Sequence, residues 1–191
     1  QIDLNLIKFK IENELNLSDE KKTGKSEFIY NKLKRIVEYQ IEKNFFKFHV
    51  FDKLDQPNTT YKGKFNFKPF YANIEGDLNE IDLNYLFGSN AIIVQLLKTE
   101  IFNNKNLDFK LSLNAETIYK NANFRNISLK SKIQEGLIDT DRTKFEWRNF
   151  VDFELKDSLI FVRSGELVLD GRLKINIHDY NEVYKYLLTP K

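Results

Sequence analysis

The chain has 191 residues, and its 30 Lys and Arg against 28 Asp and Glu leave a formal net charge of +2. Near-cancelling charge argues against a basic nucleic-acid binder, and the absence of Cys excludes a disulfide framework and thiolate chemistry. The length suffices for one domain with a real core, residues 1–191, and the 14% of aromatic residues, mostly Phe and Tyr, favours sheet.

Residues 2–17 read as one or two strands, with an apolar phase that flips at Leu6–Ile7 as a bulge would make it do. Residues 18–26, SDEKKTGKS, read as a polar turn or loop. Residues 27–42 fit a helix through Ile29, Leu33, Val37 and Ile41. They fit a strand through Val37, Tyr39 and Ile41, and their β-branched and aromatic content favours strand. Phe46–Phe51 is a second strand, and residues 54–58, with Pro57, a loop. Tyr61–Phe67 alternates Tyr61, Gly63, Phe65 and Phe67 with Lys62, Lys64 and Asn66. Pro69 cannot donate to a ladder, so it marks a break. Tyr71–Glu75 resumes the extended pattern and Gly76-Asp77 is expected to turn it.

Residues 79–102 are the expected buried helix: Ser89 stands as N-cap ahead of Ala91, Ile92, Ile93, Val94, Leu96, Leu97, Ile101 and Phe102. Asn103 and Asn104 end it. Strands return with Leu107, Phe109, Leu111 and Leu113, then with Ile127, Leu129 and Ile133, then at residues 136–139. Shorter runs follow at 145–147, 151–155 and 158–163. Residues 165–177, GELVLDGRLKINI, carry the longest alternation. Leu167, Leu169, Leu173, Ile175 and Ile177 face one side; Glu166, Asp170, Arg172, Lys174 and Asn176 face the other, with Val168 the exception. The chain closes with an amphipathic helix at Tyr180–Leu188, where Asp179 and Glu182 have capping-box spacing. The expected fold class is mainly β with two helices (α+β): a long, curved antiparallel sheet covered in part by helices.

No catalytic constellation emerges. His49 lies in a Phe-rich strand and His178 precedes an N-cap, and neither is expected to be a catalytic base. Glu135, Asp139, Asp141 and Glu146 form an acidic neighbourhood that lacks the spacing of a calcium loop. Lys43, Lys47, Lys53, Lys62 and Lys64 alternate as a wet strand face does, with acids interspersed, so nucleic acid is not an expected partner. No metal or cofactor is expected. The apolar strand faces fit either a closed core or an open groove. The candidate liners of a groove are Phe65, Phe67, Leu107, Phe109, Leu111, Leu113, Leu167, Leu169, Leu173 and Ile175.

KGKFNFKPFY at 62–71, LLKTEIFNNKNLDFKL at 96–111, SKIQEGLIDTD at 131–141, SGELVLDGRLKI at 164–175 and YKYLLTPK at 184–191 resemble the AsmA-like family of Gram-negative cell-envelope proteins. The resemblance covers residues 61–191; residues 1–60 share only the style. It implies a stacked, curved sheet with an apolar inner groove. It also implies a periplasmic location behind an N-terminal inner-membrane anchor, and a part in phospholipid movement and outer-membrane biogenesis. The expected function is non-enzymatic lipid handling, with acyl lipid and other envelope proteins as partners. The alternative is a structural or protein-interaction module without ligand. Because the chain begins at Gln1, without an initiator Met, it is expected to be a segment of a longer protein or a processed product, and the resemblance implies an anchor that lies elsewhere.

Overall fold

The computed structural model describes residues 10–17, 21–30, 33–52, 59–88, 91, 94–95, 98–99, 104, 106–134 and 137–188. The chain is mostly β and its described strand pairs are antiparallel. It divides into two compact units, Gln1–Asp77 and Leu78–Lys191.

The first unit contains β1 (Lys10–Leu17), β2 (Lys22–Tyr30), β3 (Leu33–Ile41), β4 (Phe45–Asp52), β5 (Thr59–Phe67) and the start of β6 (Phe70–Ile81), hydrogen-bonded in chain order. The register sorts residues by face. Gly24, Tyr39, Phe48 and Gly63 lie directly across from one another. Ile41, Phe46 and Phe65 make the next row on the same side. Side chains alternate between faces, so Lys25, Glu38, His49 and Lys62 form a row on the opposite side, and Thr23, Gln40, Lys47 and Lys64 another. The apolar side is tied together by rings: Phe46 to Phe48 at 5.9 Å, Phe48 to Phe65 at 5.8 Å and Phe46 to Phe65 at 6.2 Å between centroids. Any larger residue at Gly63 would drive its Cβ into the Phe48 ring. Arg35 Nε donates to the buried carboxylate of Asp52 at 3.0 Å.

Two expectations for this unit need correction. Lys22–Ser26 is not loop but the start of β2, paired on both sides with β1 and β3. Gly76-Asp77 does not turn the chain; β6 runs straight through it, with Gly76 buried. In both places pairing with neighbouring strands overrides a local polar or turn signal. Residues 27–30 and 33–41 are strand, in β2 and β3. The phase flip at Leu6–Ile7 and the 54–58 loop lie outside the described residues.

The second unit contains the end of β6, α1 (Leu83–Phe87), β7 (Asp108–Ile118), β8 (Asn121–Gln134), β9 (Leu137–Asp139), β10 (Lys144–Trp147), β11 (Val151–Arg163), β12 (Glu166–Ile177) and α2 (Tyr180–Leu188). The order is β7-β8-β10-β11-β12, and the short β9 bridges β8 and β11. Residues 79–81, expected to open the buried helix, are strand. The chain becomes helical only after Asp82, whose Oδ1 accepts from Asn84 N at 3.0 Å. Of the expected helix, Gln95 N donates to Ala91 O and Thr99 N to Gln95 O, both helical spacings, and Val94 is buried. Ser89 and most of its apolar positions lie outside the described residues.

The runs at 151–155 and 158–163 are one strand rather than two. β11 pairs continuously with β12 except for a register shift between Lys156 and Leu159, where Asp157 has φ 47°. This bulge is the physical answer to a phase change in the sequence. Val151, Phe153 and Leu155 are odd-numbered and Ile160 and Val162 even, yet all must meet the unbroken apolar phase of β12. Three groups clamp it. Ser158, 1% exposed, donates from its backbone N to Asp141 Oδ1 at 2.6 Å. Thr140 Oγ1 lies 3.0 Å from Ser158 Oγ, and Thr140 N donates to Ser158 O at 2.9 Å. Opposite the bulge sits Gly171, where a Cβ would fall 2.6 Å from Ser158 Cβ. Ser164 and Gly165, with φ of 51° and 80°, make the two-residue turn into β12.

The helix α2 forms over the residues that its pattern predicts, with Glu182 N donating to Asp179 Oδ1 at 3.0 Å. It does not cover the sheet as expected. No residue of α2 is buried, and Tyr180, Tyr184, Leu187 and Leu188 of its apolar stripe are exposed. Its anchor is Tyr186, edge-on to Trp147 at 4.9 Å and beneath the Arg148 guanidinium at 4.4 Å.

Candidate functional site

The apolar face of the second unit is assembled one cross-strand row at a time. Phe109, Ile133, Ile138, Ile160 and Leu169 stand directly opposite one another across β7, β8, β9, β11 and β12. Ile133 and Ile138 are buried, and Leu107, Phe109, Ile160 and Leu167 pack against them. Further along the strands a second row runs Phe145, Phe153, Ile175, with the two Phe rings stacked at 4.8 Å. Leu155 pairs with Leu173 between these rows.

The ten candidate groove residues therefore divide. Leu107, Phe109 and Leu167 converge on the Ile133–Ile138 cluster. Leu113 is buried opposite Leu129, and Leu111 is half-buried opposite Ser131. Leu169, Leu173 and Ile175 remain 55%, 49% and 51% exposed on β12. Phe65 and Phe67 belong to the first unit, where Phe65 joins the ring cluster and Phe67 is exposed.

A concavity lies elsewhere, in the first unit. It spans about 1150 Å³, is open to solvent, and is lined by charged and polar groups that include Lys25, Glu38, Lys47, His49, Lys62 and Lys64, together with Gly24, Tyr39, Phe48 and Gly63 of the neighbouring row. Lys25 and Glu38 approach to 3.6 Å and Lys62 and Glu75 to 2.9 Å. Hydrogen bonds from Lys62 and Asn73 hold the Glu75 carboxyl below its ordinary range, and the same Lys62–Glu75 bond raises Lys62. Lys47 and Lys64 each place Nζ 5.0 Å from the Phe45 ring. The alternation of lysines in the sequence signalled a wet face here. That these residues stand together depends on strand register, which sets Lys25, Glu38, His49 and Lys62 in one row and which no single stretch encodes.

The acidic neighbourhood is structural. Asp141 holds the bulge, Asp139 Oδ1 accepts from Asp141 N at 2.8 Å, and Glu146 accepts from Asn126 at 2.7 Å. Glu135 lies outside the described residues. Among the described residues no group of three or more His, Asp or Glu side chains is placed to hold a metal ion. His178 Nε2 lies 2.6 Å from Asp152 Oδ2 and its backbone N donates to Phe150 O, so it ties the end of β12 to the β10–β11 turn. No described helix is long and apolar enough to cross a membrane. Compared with family models, curated proteins and solved structures, the chain matches none.

Proposed function

We propose that the chain is a non-enzymatic lipid-handling segment of an AsmA-like envelope protein, holding acyl chains against an apolar sheet face. The observation that carries this reading is the half-exposed line of Leu169, Leu173 and Ile175, continuous by register with the buried Ile133–Ile138 cluster. An alkyl chain laid along it gains about 0.8 kcal/mol for each CH₂ withdrawn from water, while a head group stays solvated beyond the sheet. On this reading the segment works in the periplasm, in outer-membrane biogenesis, and the inner-membrane anchor belongs to a part of the protein outside these residues. It needs no cofactor. The groove of the proposal is the strip along β12, with Leu167 at one end of it; Phe109, Leu111 and Leu113 lie on β7, at the far side of the same face.

The test is mass spectrometry of lipid extracted from protein purified out of a Gram-negative envelope. Bound phospholipid that disappears in Leu173→Asp, with circular dichroism unchanged, supports the reading. Lipid-free protein that takes up no phospholipid from vesicles overturns it. A second reading, a structural or protein-interaction module without ligand, is favoured by the unpaired outer edge of β12. It expects no lipid and a bound protein instead.

A further inference from the structure

The strand β12 ends the strand order of the second unit. It pairs with β11 alone, and among the described residues its outer edge makes no hydrogen bond. Natural edges of this length are usually blunted by proline, a bulge or an inward charge. This one has none: the bulge belongs to β11, and every charge lies on the polar face. The charges are also segregated along the strand. Glu166 and Asp170 precede Gly171; Arg172 and Lys174 follow it. Glu166, Asp170 and Lys174 have no ion pair among the described residues, and Arg172 reaches only Asp157 of its own β11, both side chains being exposed.

A strand acidic in one half and basic in the other complements its own antiparallel copy. With the two-fold axis through Gly171, Asp170 of each copy stands opposite Arg172 of the other. Lys174 then stands opposite Val168, diagonally between the other copy's Asp170 and Glu166, within reach of a long side chain. On the apolar face the same register sets Leu169 against Leu173 and Leu167 against Ile175, each pair occurring twice. The neighbouring registers that keep the faces aligned are worse. An axis through Asp170 opposes that residue to itself, and an axis through Arg172 does the same with two cations. We propose that β12 is a homodimer seam, taking a second copy of this chain as its antiparallel partner in the register centred on Gly171. The pairing uses the backbone edge and leaves the apolar face open, so it stands whether or not that face carries lipid.

Sedimentation velocity of the full chain over a concentration series tests the seam. A concentration-dependent dimer is expected. Asp170→Arg and Arg172→Asp should each weaken it about tenfold or more, because each substitution acts twice across the axis. An equimolar mixture of the two variants should regain the dimer, since the position opposite each reversed charge then carries the opposite sign in the other chain. The chain has no Cys, so Leu169→Cys protein mixed with Leu173→Cys protein should cross-link on oxidation, and Leu169→Cys mixed with Ile175→Cys should do so far less. The cysteine variants keep the charges, so they report even if a charge variant unfolds. A chain that stays monomeric throughout, a mixture that does not recover, or cross-linking without preference for the 169–173 pair overturns the proposal. Binding of a different protein at β12 with no self-association does so too.

Discussion

Replacing Asp141 by Ala probes what holds the β11 bulge. Its Oδ1 accepts from the backbone N of Ser158 at 2.6 Å and lies 3.3 Å from Ser158 Oγ. A hydrogen bond to a charged group contributes about 1.5–3 kcal/mol, and a buried donor stranded without a partner costs about 1–3 kcal/mol. These are two views of one loss, since Ser158 is 1% exposed and water cannot replace the carboxylate without opening the strand. The expected destabilisation is about 2–3 kcal/mol. Urea denaturation followed by Trp147, the single tryptophan of the chain and a member of the second unit, gives the readout. With a slope of about 2 kcal/mol per M, the midpoint falls by about 1–1.5 M at unchanged slope. Asp141→Asn keeps an acceptor and should lose about half as much. A midpoint within about 0.2 M of wild type for Asp141→Ala would show that the bulge holds without its clamp, and Asp141 would have no part in matching the phase of β11 to that of β12.

Gly171→Ala should cost about 1–3 kcal/mol and so lower the same midpoint by about 0.5–1.5 M, because its Cβ would meet the Ser158 Cα and Cβ rather than a flexible side-chain tip; wild-type stability would mean that β11 and β12 stand further apart there. In the first unit, Lys62→Gln should move the Glu75 carboxyl back up toward the ordinary glutamate range, seen by NMR titration of its side chain. The sign follows from the depressed value. The pair's contribution is present above the unfolded-state pKa of Glu75 and is lost as the pH falls through the lowered folded value; being exposed, it is small. Tyr186→Ala should release α2 from Trp147 and Arg148, giving faster amide exchange across Tyr180–Leu188 with little change in β12; unchanged protection would locate its anchor elsewhere.

Some of this molecule is plain in its sequence, and the rest fails to show for definite reasons. The alternation at 165–177 predicts a strand, and β12 runs Glu166–Ile177. The stripe and capping spacing at the C-terminus predict α2 to the residue. Lys22–Ser26 is invisible as strand because it is polar on both faces; only its neighbours in β1 and β3 recruit it. Gly76-Asp77 carries a turn signal, but the sheet position of β6, with Gly76 buried, outweighs it. The bulge is encoded at a distance, by Asp141 and Ser158, so the local pattern shows only a break. The candidate liners rest on alternation alone. Alternation marks which side a residue faces and is silent on how far it sits from a sheet edge.

That distance accounts for the exposure gradient along the apolar face. Ile133 and Ile138 are 3% and 6% exposed, while Leu169, two strands beyond Ile138 in the same row, is 55% exposed. Each inner member has a neighbour on both sides; Leu169 has Ile160 on one side only. Whatever supplies the missing neighbour gains by the same withdrawal of apolar surface from water, so hydrophobicity does not choose between an alkyl chain and another strand. The backbone does. The outer N–H and C=O groups of β12 are satisfied by a strand and not by a hydrocarbon, whose presence along the edge would strip their water without replacing it. An acyl chain is therefore confined to the face and a strand to the edge. The two proposed occupants would add rather than compete, and pairing at Gly171 would widen the apolar face open to the proposed lipid by setting Leu173 of the second copy next to Leu169 at the end of the row.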